Sequence, residues 1–225
     1  KQKTFAFSVG AGFSVRDNIR NKNTYDESDE NPIKRILPMA LIKLGPIRIF
    51  GPNVVATLYR NPFFSPSIFI KRGGDRYYGP DQLSWRKPSW FGGFSVRSLF
   101  FQFSYSQDLQ DRSNGKRYNL SLAPRIRVTD KLMLITSLSV EKWDSSYTNY
   151  YYGVSSQEVT STRSKYTPGS TTNTIIGLTA RYSITDRISS SASFKYKIYG
   201  QEVDDSPTTI SARELSSLFS ILYSF

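Results

Sequence analysis

The feature that most constrains the fold is a strict alternation of apolar residues with small or polar ones. Residues 5–16 alternate in this way over twelve positions, with an apolar residue at every odd position. The pattern returns in residues 116–128, 174–184 and 188–198. A period of two predicts a β-strand with one apolar and one polar face. No segment shows a helical period of comparable strength, so the chain is predicted to be all-β.

The links between these segments are of two kinds. Thr129-Asp130-Lys131 and Thr185-Asp186-Arg187 are short polar turns of nearly the same composition. They alternate with long polar links at 17–34, 73–88, 109–117, 144–171 and 200–213. This asymmetry is typical of transmembrane β-barrels of the Gram-negative outer membrane, which have short periplasmic turns and long extracellular loops.

The strand count follows from these segments. Strands are predicted near residues 3–16, 63–73, 88–97, 98–109, 116–128, 131–144, 172–184, 187–199 and 213–225. The stretch 35–60 carries three prolines, at positions 38, 46 and 52, and three short strands there give about twelve in all, an even number. Ten strands would result if part of the stretch folded inside the barrel. The prediction is therefore a closed antiparallel barrel, with residues 1–225 as one domain.

Composition excludes most catalytic chemistry. The sequence contains no His and no Cys, which rules out imidazole bases, thiolate nucleophiles and metal sites built on either residue. Asp204 and Asp205 are a candidate pair of catalytic carboxylates. They are adjacent, however, so in an extended chain their side chains diverge and do not flank a bond. We expect no enzyme activity, no cofactor and no metal.

The net charge of +12 favours anionic partners. Outer-membrane lipid and lipopolysaccharide fit this charge, and the basic loop residues that could hold lipopolysaccharide phosphates are Arg112, Lys116, Arg117, Arg163 and Lys165. The alternative is that these residues form an ordinary solvated loop surface. Nucleic acid is disfavoured, because no recognition module accompanies the charge and the apolar strand faces would be left in water.

The last strand ends on alternating large apolar residues, Phe219, Ile221, Tyr223 and Phe225. This pattern resembles the signature by which outer-membrane barrels are recognised for assembly, so the barrel-assembly machinery is an expected partner. The alternative is an ordinary strand that finishes the domain.

Residues 150–169 resemble a motif of the MipA/OmpV family. The matching residues are Tyr150, Tyr151, Tyr152, Gly153 and Val154, followed by Tyr166, Pro168 and Gly169. Weaker matches follow in order at 35–38, 72–76 and 205–207. The resemblance implies an outer-membrane barrel made with a signal peptide, with Lys1 as the start of a mature form. It also implies a scaffold that links a murein-degrading transglycosylase to a peptidoglycan synthase.

The predicted inward faces are basic, with Arg97, Arg125, Arg127, Arg181, Lys195 and Lys197 on them. Such a lumen suits a narrow anion-selective channel for small or acidic solutes. Alternatively, salt bridges satisfy the charges inside a filled barrel, with the acidic run Asp26, Glu27, Asp29 and Glu30 as counter-charge. We therefore predict a scaffold for periplasmic murein enzymes, with the channel as the alternative function.

Aromatic residues concentrate near the predicted strand ends. They are Tyr25, Tyr77, Tyr78, Trp85, Trp90, Trp143, Tyr147 and Tyr150 to Tyr152. Most are predicted to form an aromatic belt at the outer membrane interface, and sugar stacking is the alternative.

Overall fold

The computed structural model describes residues 5–21, 31–79 and 82–225, and nearly all of them belong to one antiparallel sheet and its connecting loops. The strands are β1 Phe5–Arg16, β2 Ile33–Leu44, β3 Ile47–Phe50, β4 Asn53–Thr57, β5 Ser65–Gly73, β6 Ser89–Ser98, β7 Phe101–Asp108, β8 Lys116–Leu122, β9 Arg125–Arg127, β10 Leu132–Trp143, β11 Thr171–Ser183, β12 Ile188–Ile198 and β13 Arg213–Ser224. Two short α-helices, α1 Ser145–Tyr152 and α2 Gln201–Asp204, and a 3₁₀ turn at Ser156–Glu158 lie in the loops.

The sheet closes on itself. Each strand pairs with its neighbours in chain order, and β1 pairs with β13 from Ser8 opposite Ser224 to Arg16 opposite Ser216. β8 and β9 both pair with β10, so they are two parts of one wall strand that is interrupted at residues 123–124. The described part of the chain therefore forms a closed barrel of twelve strands, as predicted.

The outside of the barrel is apolar. Leu120, Leu138, Ile176, Phe194 and Ile221 lie on the outward face of their strands, and each is more than 40% exposed. These side chains face lipid in a membrane, whereas their sequence neighbours point into the lumen. Within the described ranges, no helix is long and apolar enough to cross a bilayer.

The proline-rich stretch forms three strands, β2, β3 and β4, and Pro38 lies within β2. The O of Ala40 accepts a hydrogen bond from Gly51 N at 3.3 Å, so the even-numbered residues of β2 direct their backbone polar groups towards β3 and away from β1. Pro38 is one of these residues. Because β3 pairs with β2 only from Leu41 onwards, the missing N–H of Pro38 costs no hydrogen bond between strands. Proline is tolerated at such an unpaired edge.

Among the described residues, the strands between β2 and β5 cover only part of the height of the wall. β3 and β4 contain only four and five residues and turn back at residues 51–52. β2 pairs with β3 only from Leu41 to Leu44, and β5 pairs with β4 only from Ser67 to Ile70. Above this hairpin, residues 33–40 face residues 71–73 with no described strand between them. We call this opening the side gap.

The two ends of the barrel differ in the length of their links. Links of two to seven residues join the strands at the end that holds the start of β1 and the end of β13. Longer links at 17–32, 74–88, 109–115, 144–170 and 199–212 lie at the opposite end, and the tight turn at 51–52 points towards that end from lower in the wall. The long links mark the extracellular end.

Candidate functional site

The extracellular end of the lumen is closed by helix α1, which follows β10 directly. The Asp144 side chain caps the helix by accepting a hydrogen bond from Tyr147 N at 2.9 Å. Tyr147, Thr148, Tyr151 and Tyr152 are buried, so one side of this short helix faces the barrel interior. The sequence pattern predicts no helix here, because eight polar and tyrosine residues show no clear apolar period.

Around α1 lies an aromatic cluster that we call the plug. Its buried members are Ile19, Phe91, Trp143, Tyr147, Tyr151, Tyr152 and Val203. The ring centroids of Trp143 and Tyr147 are 4.7 Å apart, as are those of Tyr147 and Tyr151. Tilted aromatic pairs at this distance are stabilising beyond the area they bury. The main apolar core of the described residues is therefore inside the outer end of the barrel.

This finding corrects the predicted aromatic belt. Trp143, Tyr147, Tyr151 and Tyr152 belong to the plug, Tyr77 packs beside it against Arg20, and all five are at most 4% exposed, so they do not lie at the membrane interface. The long loops fold inward over the lumen, which gives these rings a drier environment than the interface offers. Tyr25 lies outside the described residues. Trp85 is 37% exposed and stacks on Tyr78, so this pair remains at the surface.

Arg20 lies in the loop after β1 and joins it to three other loops at the plug. Its Nε donates to Asp75 Oδ2, and its two terminal nitrogens donate to Thr208 Oγ1 and to the O of Tyr151, all at 2.9 Å. The guanidinium also lies 3.9 Å from the ring centroid of Tyr152. Burial by itself lowers the pKa of Arg20, but the interactions with the Tyr152 phenol and the Asp75 carboxylate raise that pKa above its ordinary value. Arg20 therefore stays charged.

A buried carboxylate, that of Glu141, lies under the plug. Glu141 of β10 forms ion pairs with Arg117 of β8 and, at 3.1 Å, with Lys197 of β12. The Nζ of Lys197 also lies 4.3 Å from the ring centroid of Trp143. The carboxylate of Glu141 thus joins β8, β10 and β12, and the contact of Lys197 with Trp143 joins this ion-pair network to the plug.

Glu158 holds together two extracellular loops, 74–88 and 144–170, beyond the ends of the strands. It accepts hydrogen bonds from Ser84 N and Ser155 N at 2.8 Å and from Arg86 Nη2 at 3.0 Å. Burial alone would raise the pKa of Glu158, but the hydrogen bonds from Arg86, Ser155 and Ser84 lower that pKa to about 2. The carboxylate is therefore ionised at neutral pH.

Two separate spaces are found in the part of the lumen that the described residues enclose. A cavity of about 310 Å³ lies directly under the plug, and we call it the upper chamber. At the periplasmic end, spaces of about 500 Å³ and 530 Å³ share Pro62, Arg97, Leu99 and Gln102 and together form one vestibule. The upper chamber and the vestibule have no lining residue in common.

The six basic residues predicted for the lumen are distributed over its whole height. Arg97 and Arg125 line the vestibule, whereas Lys197 lines the upper chamber. Arg127 and Arg181 both pair with Met133, from opposite sides of β10. Lys195 lies opposite Gly177 and Ser216. The structure does not bring the six together in one ring, and their role in selectivity stays a prediction.

The predicted counter-charge and loop residues have different outcomes. Asp26, Glu27, Asp29 and Glu30 lie outside the described residues. Arg117 points into the lumen, and buried Arg163 donates to the O of Glu158 at 2.9 Å, so neither is available at the surface for lipopolysaccharide. Lys116 and Lys165 are exposed.

The residues of the two predicted motifs lie in different places. Phe219, Ile221 and Tyr223 lie on the outward face of β13, and Phe225 follows that strand with its ring 5.4 Å from Phe7. Their role as an assembly signal stays a prediction. The tyrosine motif, by contrast, ends α1, and Val154 pairs with Tyr166 as an isolated bridge. This motif supplies much of the plug.

Comparison with known proteins agrees with an outer-membrane location. A sequence profile of the family described as MltA-interacting protein MipA matches residues 7–225. The 24 kDa outer membrane protein of Pasteurella multocida is 28% identical over 193 residues, which cover 82% of this chain and 74% of the relative. Among solved structures, the NanC porin matches 96% of this chain and 98% of its own at 7% identity and a TM-score of 0.44. A loop L8 deletion mutant of OmpT, an outer membrane protein of Vibrio cholerae, matches 99% of both chains at 8% identity and a TM-score of 0.40.

Proposed function

The chain belongs to the MltA-interacting protein MipA family of outer-membrane barrels, and from this premise we propose that it is a non-enzymatic interaction protein for periplasmic murein enzymes. The family description names an interaction with a partner protein, and no reaction. The proposed docking face is the periplasmic mouth of the barrel, which is the end that such enzymes can reach.

The observation that carries the proposal is the difference between the two ends of the lumen. The extracellular end is filled by the plug, with Tyr151 and Tyr152 at most 3% exposed. The periplasmic end is an open vestibule lined by basic residues, among them Lys43, Arg48 and Arg97. A closed outer end is unfavourable for permeation, whereas an open cationic mouth suits contact with an acidic protein surface.

Site-specific crosslinking in cells tests the proposal. Phe63 is 67% exposed in the periplasmic link 58–64, so a photoreactive phenylalanine analogue can replace it with little loss of packing. We expect crosslinks from this position to murein-degrading enzymes. The matched control carries the same analogue at Val159, which is exposed in an extracellular loop. Absence of murein enzymes from the Phe63 crosslinks, or equal recovery from Val159, would contradict the scaffold.

An anion channel is the second candidate, because basic side chains line the vestibule. Conduction would require the plug to move away from the barrel axis. Purified, folded protein in planar bilayers gives no conductance steps if the barrel is a closed scaffold. Anion-selective steps that weaken in the triple variant Arg125→Ser, Arg127→Ser and Arg181→Ser would favour the channel instead.

A further inference from the structure

The periplasmic vestibule is lined by cations that have no acidic partner. Lys43 of β2, Arg48 of β3, Arg97 of β6 and Arg125 of β9 border it, each within two residues of the periplasmic end of its strand. The described residues that line the vestibule include no carboxylate. Within the described part of the chain none of the four forms an ion pair, and Arg97 Nη2 donates to the neutral Gln102 Oε1 at 3.4 Å.

The remaining acidic residues of the chain do not supply the missing counter-charge. Asp130 and Asp186, in the periplasmic turns, are exposed and do not line the vestibule. Residues 1–4, which precede β1 at this end, contain no Asp or Glu, and residues 22–30 and 80–81 belong to extracellular links. Nine residues fixed at both ends reach about 17 Å at most, whereas β1, with twelve residues at the usual tilt, spans about 30 Å of height. The charge of the vestibule therefore has to be compensated from outside the chain.

Two of these cations are placed against each other by the strand register. Lys43 of β2 lies directly opposite Arg48 of β3, and both side chains line the vestibule. Like charges in directly opposed positions of neighbouring strands destabilise a sheet. Sequences depart from such local rules mainly at functional sites. The opposed pair therefore indicates a site for an anion, which would remove the repulsion by binding between the two side chains.

Hydroxyl groups continue the polar lining above the cations. Thr57, Ser67 and Ser95 lie opposite one another on β4, β5 and β6, and each is at most 9% exposed. Ser67 Oγ donates to Thr57 Oγ1 at 3.3 Å. Ser95 lies two residues deeper in β6 than Arg97, on the same face of the strand. The vestibule thus offers charged donors near its mouth and neutral hydroxyls further in, and both kinds of group bind carboxylate oxygens.

The position of the cations favours a chain segment over a folded surface as the occupant. They lie inside the lumen, on strands that run from β2 round to β9, so several negative charges on one ligand can each find a partner. The two parts of the vestibule have volumes of about 500 Å³ and 530 Å³, which hold a few residues of an extended chain. A convex protein surface does not enter a barrel of this size.

We propose that the vestibule binds an extended acidic peptide segment of the periplasmic partner, whose carboxylates contact Lys43, Arg48, Arg97 and Arg125. Arginine is suited to this contact because its planar guanidinium donates two parallel hydrogen bonds to a carboxylate. The segment ends in the vestibule, since the upper chamber shares no lining residue with it. This proposal rests on the scaffold function and adds the chemistry by which the partner is recognised.

Binding of a model peptide tests the chemistry. The full chain, folded in nanodiscs of zwitterionic lipid, is titrated against a fluorescently labelled octaglutamate peptide, and binding is measured by fluorescence anisotropy. We expect saturable binding that weakens as salt is added, because the contacts are between charges. Octaglutamine, which has the same length and no charge, should not bind. Absence of octaglutamate binding, or equal binding of octaglutamine, would overturn the proposal.

Substitutions locate the binding within the barrel. Lys43→Gln, Arg48→Gln should weaken octaglutamate binding at least about tenfold, as the loss of two charged hydrogen bonds implies. Lys165→Gln, Arg213→Gln removes the same charge from exposed residues at the extracellular end and should leave binding unchanged. Heat-modifiable migration on gels establishes that each variant is folded. Without peptide, the Lys43 and Arg48 variant should be at least as stable to urea as the wild type, because it lacks the repulsion between the two cations. Equal weakening of binding by the two double variants would contradict a site in the vestibule.

Crosslinking in cells separates this proposal from the scaffold function. The photoreactive analogue at position 63 is combined with Lys43→Gln, Arg48→Gln, and we expect the crosslinks to murein enzymes to be lost. If these crosslinks persist in the double variant, the vestibule is not the recognition site, although the scaffold function stands. If octaglutamate binds in the vestibule but the wild type gives no crosslinks to murein enzymes, the scaffold function fails while the peptide site stands.

Discussion

Arg20 Nε donates to Asp75 Oδ2 at 2.9 Å, across 55 residues of sequence. This contact joins the loop after β1 to the loop after β5, and these two loops border the side gap on either edge. The same guanidinium holds the O of Tyr151 at the end of α1. The plug is therefore fixed to the neighbouring loops by a side chain that is only 4% exposed.

Replacement of Arg20 should loosen the plug. Arg20→Met leaves Asp75 without its closest partner and the O of Tyr151 without a donor, and loss of one member of a buried pair costs about 3 kcal/mol. Arg16→Met is the matched control, because Arg16 approaches the same carboxylate at 3.8 Å and its side chain is 41% exposed. The control should cost less than about 1 kcal/mol. Urea unfolding in liposomes measures both, and equal midpoints would refute the role of Arg20.

Gly74 allows Tyr151 to approach the loop after β5. Its φ is +84°, and a Cβ built on it would lie 1.9 Å from the Tyr151 hydroxyl oxygen. Gly74→Ala should therefore displace Tyr151 and increase protease cleavage in residues 144–170. Gly45→Ala is the control, since Gly45 also has a positive φ, +53°, but no atom within 4 Å of the added Cβ. That variant experiences only the backbone cost of about 1–2 kcal/mol. Similar cleavage of the two variants would show that the clash is unimportant.

Glu158 makes its loop sensitive to acid. A carboxyl with a pKa of about 2 in the folded protein and an ordinary value of 4.5 contributes stability that is fully present above pH 4.5. This stability is lost as the pH falls through about 2. Pepsin cleavage of residues 153–166 should therefore rise over this interval. Glu158→Gln should flatten the dependence, whereas Asp111→Asn, at an exposed carboxylate, should leave it intact. If Glu158→Gln showed the same pH dependence of cleavage as the wild type, the acid sensitivity of this loop would not come from Glu158.

Phe225 supports the seam between β1 and β13. Its N donates to Phe7 O at 3.0 Å, and its ring stacks on Phe7 with centroids 5.4 Å apart. Phe225→Ala keeps the backbone bond and removes the ring, so we expect slower assembly and a lower outer-membrane yield. Phe225→Tyr keeps the ring and should resemble the wild type. Heat-modifiable migration reports the folded fraction. Normal assembly of the alanine variant would show that the ring of Phe225 is not part of the assembly signal.

The wall of the barrel could be predicted from sequence because membrane strands alternate with a period of two. The predicted strands at 131–144 and 187–199 differ from β10 and β12 by one residue at each end. Even the proline-rich stretch was assigned correctly, because Pro46 and Pro52 mark tight turns. The family was recognised from the tyrosine motif, and the profile match confirms it.

The plug could not be predicted, because its contacts join residues that are far apart in sequence. Arg20 and Thr208 are 188 residues apart, and no local pattern links them. Tyrosine next to a strand end has the same sequence signature in a lipid interface as in a folded loop. The pairing of Arg117 and Lys197 with Glu141 likewise depends on three strands that only the closed barrel brings together.

The short hairpin of β3 and β4 has a consequence for the bilayer itself. Twelve residues give β2 a length of about 40 Å, whereas four residues give β3 about 13 Å. The apolar band around such barrels is about 25 Å tall, so the hairpin alone cannot match it. Hydrophobic mismatch on one flank makes the surrounding leaflet thin locally or the barrel tilt. The mismatch is confined to the flank of β3 and β4, since β10 has twelve residues and is long enough to span the apolar band.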